Sequence, residues 1–224
     1  MAHAEATVPE IRLAVSDPEQ DIANVETVLD NLTSTCYFLS SERNRYRFGI
    51  KPNLIKLLAD RRANIKDDQI HTRVREQVEK VFGEGNGVEK VYFPAKSNAV
   101  ADRAFLTIAV LDPENSLQDN KTLGLIDDMT RSYGTSARTF KNAIIWSIAD
   151  SDTVMKEEAR KLLAWEEIKQ DKESLRLDEN QLKELESNLH HARGDFKESV
   201  WRSYKNLALL GKDNKIRLVD MGLI

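Results

Sequence analysis

The chain has 224 residues, of which 33 are Lys or Arg and 37 are Asp or Glu, so its formal net charge is −4. A hydrophobic fraction of 41% and this length are enough to bury a globular core without disulfide bonds or structural metal ions. The net negative charge argues against a protein that binds nucleic acid over most of its surface. The single cysteine, Cys36, excludes an internal disulfide and a Cys-based zinc site, which suits a reducing compartment.

Targeting and membrane signals are weak. Residues 1–20 lack the basic start and the continuous apolar block of a signal peptide. The most apolar run, FLTIAVL at residues 105–111, is too short to cross a bilayer and suits a buried strand. We therefore expect a cytoplasmic protein with no membrane partner.

Residues 1–85 predict a winged-helix-like part in the order helix, β-hairpin, helix. In the segment Ile22–Phe38 four apolar residues recur at helical spacing, namely Val25, Val28, Leu29 and Leu32. The alternating sequence that follows breaks at Ser40–Asn44, which is typical of two paired strands. The alternation places Tyr46, Phe48 and Ile50 on the core side of the second strand and Arg45 and Arg47 on the solvent side.

A helix is predicted to follow that hairpin. Pro52 fits its first turn, where the missing N–H has no cost, and Leu54 continues the apolar stripe as a core residue. The helical pattern then resumes through Val74, Val78 and Val81 and stops at Gly83.

Residues 86–150 predict a small α/β sheet, either parallel or mixed, with flanking helices. The runs VEKVYFP, AFLTIAVLDP and NAIIWSIAD are strand-like, and a helix is expected near Leu123–Arg131. Two of these runs are apolar almost throughout, which is typical of strands covered on both faces.

Residues 151–224 predict a long helical hairpin and a terminal β-hairpin. One helix runs through Met155 and Ile168, and a second carries apolar residues at alternating three- and four-residue steps from Leu182 to Phe196. The tail LALLGKDNKIRLV has two apolar runs around a turn at 211–214. The fold class is therefore α/β.

The segment 43–62 is the clearest charge anomaly. It contains seven basic residues and one acidic residue, Asp60, so its charge is 7 − 1 = +6. The basic residues are Arg43, Arg45, Arg47, Lys51, Lys56, Arg61 and Arg62. Arginines on such a wing can contact phosphates. However, residues 20–35 carry Asp21, Glu26 and Asp30 and no Lys or Arg, so a recognition helix there would repel DNA. A solvated face or a partner-binding surface is the favoured interpretation.

Several other motifs are incomplete. The segment GEGNGVEK lacks the Gly-Lys-Ser/Thr of a phosphate-binding loop and fits a helix end and loop. Asp112 and Asp150 follow apolar strands, where catalytic acids occur in ATPase sheets, but a carboxylate at a strand end more often caps the next turn. Arg138 precedes an apolar strand and is a candidate arginine finger, although a surface arginine is commoner there.

The sequence predicts no catalytic residue, no metal site and no cofactor. His190 and His191 are adjacent, so on a helix their side chains diverge by about 100° and do not chelate one ion. No nucleophile elbow of the form Gly-x-Ser-x-Gly is present. An independent hydrolase would need residues that we do not find.

Several segments together resemble a known family. They are VPEIRLAV, RYRFGIKPNLIKLLADRRANI, LTIAVLDP, ARTFKNAIIWSIAD and ARKLLAWEEI. In this order they are similar to the C-terminal part of the prokaryotic AAA+-type ATP-binding proteins grouped as domain of unknown function 499. The resemblance runs from about residue 8 to about residue 210. Its most specific residues are Arg47-Phe48, Pro52-Asn53-Leu54 and Asp60-Arg61.

The resemblance implies a piece or a shortened relative of a large ATPase from bacterial or archaeal defence or DNA-processing systems. The ATP site of that family would lie in an upstream P-loop, and this sequence contains none. We therefore expect a non-catalytic regulatory or assembly module that acts through protein–protein contacts. The alternative is a DNA-binding winged-helix-like module that contacts phosphates weakly through its basic hairpin.

Overall fold

The computed structural model describes residues 5–17, 22–49, 51–84 and 87–222. The chain divides into two compact units, each built from two separated stretches. Unit 1 comprises Met1–Ile65 and Lys161–His191, and unit 2 comprises Lys66–Arg160 and Ala192–Ile224.

The elements of the described residues are helices and strands in alternation, so the α/β class is confirmed. The helices are α1 (Val8–Val15), α2 (Val25–Thr35), α3 (Leu54–Asn64), α4 (Asp67–Gly83), α5 (Thr122–Arg131), α6 (Thr153–Gln170) and α7 (Glu179–Ser203). The strands are β1 (Ala6–Thr7), β2 (Leu39–Glu42), β3 (Arg45–Phe48), β4 (Glu89–Tyr92), β5 (Thr107–Val110), β6 (Ser132–Tyr133), β7 (Ser136–Ala137), β8 (Ile144–Ile148), β9 (Asn206–Leu210) and β10 (Ile216–Asp220).

Unit 1 contains a three-stranded antiparallel sheet in the order β1-β3-β2. Strands β2 and β3 form the predicted hairpin. Its turn consists of Arg43 and Asn44, which both have positive φ, at 49° and 64°. Two successive positive φ values are what a type I′ turn requires, and asparagine tolerates them better than most residues. The strand register pairs Glu42 with Arg45, so only Arg43 and Asn44 lie between the paired positions and form a two-residue turn.

The core of the three-stranded sheet includes Tyr46, as the alternation in β3 predicts. Tyr46 is buried with Val8, Leu29 and Leu39. The prediction that Phe48 is also a core residue is wrong, because its side chain is 80% exposed. Strand alternation determines which face a side chain occupies, but not how far along the strand the covering helices reach.

The apolar face of α2 also differs from the prediction. Leu29 is buried, whereas Val28 and Leu32 are exposed. Thr33 is the other buried residue of this helix, and its hydroxyl donates to the carbonyl of Leu29 at 2.8 Å. Helical spacing alone therefore does not tell which apolar residues of α2 are buried and which lie on the adjacent exposed face.

Helix α3 begins at Leu54, so the prediction that Pro52 lies in its first turn is wrong. The Asn53 side chain accepts a hydrogen bond from the backbone N–H of Ile55 at 2.9 Å, so Asn53 is the N-cap and Pro52 lies one residue before it. Leu54 is the first helical residue and is only 4% exposed, which confirms it as a core residue.

Unit 2 contains a five-stranded mixed sheet in the order β10-β9-β8-β5-β4. Strands β4, β5 and β8 are parallel, whereas β9 and β10 are antiparallel to their neighbours. The predicted terminal β-hairpin is therefore the edge of this sheet. One core cluster of the unit contains Val100, Ala109, Leu111, Ile126, Met129, Ile144, Trp146, Ile148 and Ala208.

Two long helices, α6 and α7, are joined by residues 171–178. The seam predicted in α7 is buried at Leu185, Leu189, Ala192 and Phe196, whereas its first residue, Leu182, is half-buried. Among the described residues no helix has both the length and the apolar character that a membrane span requires.

Candidate functional site

A cluster of ionisable side chains in unit 2 lies where β5 ends. Asp112 follows this strand after Leu111, and its Oδ1 accepts a hydrogen bond from the backbone N–H of Glu114 at 3.0 Å. This contact fixes the turn through Pro113. Both side chains are therefore placed by the chain just beyond the carboxyl end of a parallel strand, where ligands bind in open α/β sheets.

Helix α4 supplies a histidine to this cluster. The Nε2 atom of His71 lies 3.6 Å from Asp112 Oδ1 and 3.8 Å from Glu114 Oε1. It is inaccessible to solvent and makes no hydrogen bond to a described residue. His71 follows the buried Ile70, so it flanks the apolar stripe of α4 rather than belonging to it.

Arg75 lies one turn after His71 and points to the same strand end. Its Nε is 3.5 Å from Asp112 Oδ2, and its guanidinium lies 4.5 Å from the centroid of the Phe93 ring. The two oxygens of Asp112 are thus divided between different partners. Oδ1 is nearest to His71, and Oδ2 is nearest to Arg75.

The second cation of the cluster, Lys156, is held mainly by Asp152. Its Nζ lies 2.6 Å from Asp152 Oδ2 and 3.6 Å from Glu114 Oε1. The hydrogen bond to Asp152 raises the pKa of Lys156, and burial opposes it. Because Lys156 has a closer carboxylate, it does not depend on Glu114 for its charge partner.

Tyr204 closes the inner side of the strand end. Its hydroxyl donates to the carbonyl oxygen of Leu111 at 2.7 Å. Burial raises the pKa of Tyr204 far above its ordinary value, and the negative charge of Asp112 acts in the same direction. The phenol therefore stays protonated and serves as a fixed hydrogen-bond donor.

In unit 1 most cations of the basic segment 43–62 are engaged by carboxylates. Lys51 lies 2.5 Å from Asp178, and this hydrogen bond holds the pKa of Asp178 below its ordinary range. Arg61 lies 2.5 Å from Asp171 and 3.6 Å from Glu167.

The remaining cations of this segment are distributed over the hairpin and α3. Arg45 and Arg47 lie 3.8 Å and 3.6 Å from the carboxylate of Glu5. Arg43 is exposed in the turn, and Arg62 is half-buried on α3. Lys56 pairs with Asp60 at 2.5 Å within α3.

The helix before the hairpin is acidic in the part that the structure describes. Glu26 of α2 accepts a hydrogen bond from Arg12 at 2.9 Å, and Asp30 is exposed. Asp21 lies outside the described residues. No Lys or Arg occurs in residues 22–35, so α2 offers no cation for a base edge or a phosphate.

Arg138 does not have the placement of an arginine finger. It is 2% exposed, and its guanidinium donates to four backbone carbonyl oxygens. Those acceptors, at 2.6 to 3.3 Å, belong to Ser97, Val100, Ala101 and Met129. A buried guanidinium that donates four of its five N–H groups to backbone carbonyls joins segments of unit 2 and does not project toward a neighbouring nucleotide.

The structure thus brings together two residues that the sequence did not single out, His71 and Arg75. The strand-end carboxylate Asp112 was recognised as a candidate, but its neighbours come from α4, about 40 positions earlier. Two polar residues four apart beside a buried stripe are ordinary for a helix, so no sequence signal separates this pair from a solvated face.

Comparison of the chain with protein-family models, with curated proteins and with solved structures finds no match.

Proposed function

We propose that this chain is a non-catalytic module that regulates or assembles a prokaryotic AAA+-like ATPase through protein–protein contacts. The observation that carries the proposal concerns unit 1. Its basic segment is matched by carboxylates of the same unit, while large apolar side chains of the same unit are exposed.

The ion pairs disfavour the DNA-binding alternative. At least five of the seven cations, namely Lys51, Lys56, Arg61, Arg45 and Arg47, lie within 4 Å of a carboxylate among the described residues. Each such pair is worth little at a surface, yet a phosphate would have to compete with the carboxylate for the same cation. Contact with nucleic acid through this patch is therefore weak and salt-sensitive.

The exposed apolar side chains favour a protein partner. Among the described residues between positions 13 and 55 nine large ones are exposed, namely Leu13, Val15, Ile22, Val28, Leu32, Tyr37, Phe38, Phe48 and Ile55. Single exposed apolar residues are normal, whereas exposed apolar side chains that adjoin one another are typical of an interaction surface. The rings of Tyr37 and Phe38 adjoin, with their centroids 5.2 Å apart. Leu13 and Phe48 are the most exposed, each at 80%.

The proposal includes a winged-helix-like interpretation of unit 1. The strand order β1-β3-β2, with α1 and α2 between β1 and β2, supports this interpretation. Helices α6 and α7 are interpreted as a helical hairpin, supported by the ion pair between Lys169 and Glu186 at 2.7 Å. In a winged-helix module of this order α2 takes the position of the recognition helix, and its acidity suits a protein partner better than DNA.

The choice of an ATPase as partner rests on the resemblance of the segments around Pro52-Asn53-Leu54 to AAA+-type proteins. Site-specific photo-crosslinking in cells of the source organism tests it. A benzophenone amino acid replaces Phe48, and a control probe replaces Lys212, which is exposed in unit 2.

We expect the probe at Phe48 to capture a protein that carries a P-loop ATPase domain, and the probe at Lys212 not to capture it. Crosslinks of the Phe48 probe to DNA or RNA would support the alternative function. Capture restricted to proteins without a P-loop would refute the assignment to an ATPase.

A further inference from the structure

Three side chains at the end of β5 offer donor atoms that converge on one point. They are Nε2 of His71, Oδ1 of Asp112 and Oε1 of Glu114, and each residue has a ligand atom within 4.8 Å of those of the other two. We propose that these three residues form a binding site for a divalent transition-metal ion, with Zn²⁺ as the ion it takes. This inference is independent of the proposed ATPase partner.

The spacing of the donor atoms fits a tetrahedral ion. Zinc–ligand bonds of about 2.0 to 2.2 Å place neighbouring ligands of a tetrahedron about 3.3 to 3.6 Å apart. Nε2 of His71 lies 3.6 Å from Asp112 and 3.8 Å from Glu114. A shift of a few tenths of an ångström therefore brings Nε2 and each carboxylate oxygen to tetrahedral spacing, and the donor atoms of Asp112 and Glu114 lie within 4.8 Å of each other.

The Nε2 atom of His71, on a side chain that is 30% exposed, has the surroundings of a metal ligand. Its Nε2 is sealed from solvent but makes no hydrogen bond to a described residue. A buried nitrogen without a partner has an energetic cost that a metal–nitrogen bond removes. The distances to the two carboxylates are too long for hydrogen bonds but leave room for an ion between them.

The surrounding charges are compatible with a bound cation. Two carboxylates neutralise a divalent ion, while Arg75 faces the other oxygen of Asp112, at 3.5 Å from Oδ2. An outer partner of this kind orients a ligating carboxylate. Lys156 Nζ lies 3.6 Å from the proposed ligand oxygen, Oε1 of Glu114, and 2.6 Å from Asp152 Oδ2. A metal on Glu114 therefore replaces the longer contact and leaves Lys156 paired with Asp152.

The ligand set selects the class of metal. An imidazole nitrogen with two carboxylates suits zinc and similar transition metals, whereas Mg²⁺ and Ca²⁺ prefer oxygen ligands alone. Magnesium also requires octahedral neighbours about 2.9 Å apart, from bonds of about 2.0 to 2.1 Å, which is shorter than the observed spacing. Glu114 has an exposed side chain, at 59%, so a fourth coordination position opens to solvent.

Competition with a chromophoric zinc indicator on the metal-stripped chain is the test. We expect one Zn²⁺ per chain, unaffected by millimolar Mg²⁺. Loss of a direct ligand in His71→Ala or Glu114→Gln should weaken binding by at least about 100-fold, the upper end of the effect of removing an outer partner. Glu114→Gln is the safer variant, because this side chain is exposed and its removal does not disturb the core.

The matched control is His191→Ala, an exposed histidine of α7 that should leave zinc affinity unchanged. X-ray absorption of the zinc-loaded chain should show nitrogen and oxygen neighbours with an imidazole and no sulfur, which excludes Cys36 as the ligand. Absence of stoichiometric binding, or equal affinity in wild type and both ligand variants, would overturn the site and leave an ion-pair cluster only.

Discussion

Asn53 offers a sharp test of how unit 1 is held together. The residue is 5% exposed, and its amide makes three hydrogen bonds. Its Oδ1 accepts from the N–H of Ile55 at 2.9 Å, and its Nδ2 donates to the carbonyls of Thr33 and Leu39, both at 2.6 Å. One side chain therefore caps α3 and joins it to the end of α2 and the start of β2.

The expected cost of Asn53→Ala follows from these contacts. Loss of an N-cap costs about 1 kcal/mol. Two carbonyl acceptors that lose their donor add about 1 kcal/mol each. We expect a decrease of about 3 kcal/mol in the free energy of unfolding, which corresponds to roughly 6 to 12 °C in Tm for a chain of this size.

Asn53→Asp separates the two contributions. Aspartate keeps the capping oxygen but has no N–H to donate, and it places a second oxygen against two carbonyl oxygens. We expect it to be destabilised by about 2 kcal/mol or more, from the two lost donors. Asn64→Ala is the control, since its exposed amide donates only within α3, to the carbonyl of Asp60.

Urea unfolding followed by circular dichroism measures all three variants. Asn64→Ala should stay within about 0.5 kcal/mol of wild type. If Asn53→Asp is as stable as wild type, capping alone accounts for the role of Asn53 and the junction with α2 and β2 is not stabilising.

Three further predictions concern the burial of Leu54 and Phe48, the ionisation of Asp102 and the binding of DNA by the basic hairpin. Leu54→Ala should cost about 2 to 5 kcal/mol, whereas Phe48→Ala should change stability by less than about 0.5 kcal/mol in the same urea assay; equal costs would contradict their opposite burial. Backbone hydrogen bonds from Thr139 and Phe140 hold the pKa of Asp102 below its ordinary value, so its contribution to stability is complete above the unfolded pKa of about 3.9 and is lost as the pH falls through the folded pKa. The Tm difference between wild type and Asp102→Asn should therefore be constant from pH 5 to 7 and shrink below about pH 4; a difference that grows on acidification would refute this. Fluorescence titration with DNA at moderate salt should show little binding, and any that occurs should lose up to about 2.7 in its log–log salt slope on replacing Arg43, Arg45 and Arg47 by Ser; sequence-specific binding that survives high salt would favour the alternative function.

Much of the fold is visible in the sequence because its signals are local. The alternation around the break at Ser40–Asn44 predicts the hairpin, although Ser40–Glu42 belong to β2 and the turn itself is only Arg43 and Asn44. The apolar runs at Thr107–Val110 and Ile144–Ile148 predict strands covered on both faces. The exposure of Phe48 was not predictable, because it depends on which helices cover the end of β3. Units 1 and 2 each combine two stretches that are far apart in the chain. Such a division cannot be predicted from boundaries drawn along the sequence.

The candidate site shows the same limit. Asp112 was identifiable because a carboxylate that directly follows an apolar strand stands out. Its partners His71 and Arg75 lie on α4, and only the packing of that helix brings them to the strand end. The +6 charge of segment 43–62 is readable from the sequence, but the partners of Lys51 and Arg61, Asp178 and Asp171, lie more than a hundred residues away, so these ion pairs have no local sequence signal.

The most direct test of the central claim is the rate of ATP hydrolysis by the P-loop protein captured at Phe48, measured as the purified chain is added. We predict a saturable change in the rate that is lost in Phe48→Asp and retained in Lys212→Asp, with no hydrolysis by the chain alone. An unchanged rate at saturating chain, or ATP hydrolysis by the chain in the absence of that protein, would contradict a non-catalytic module that acts on an ATPase.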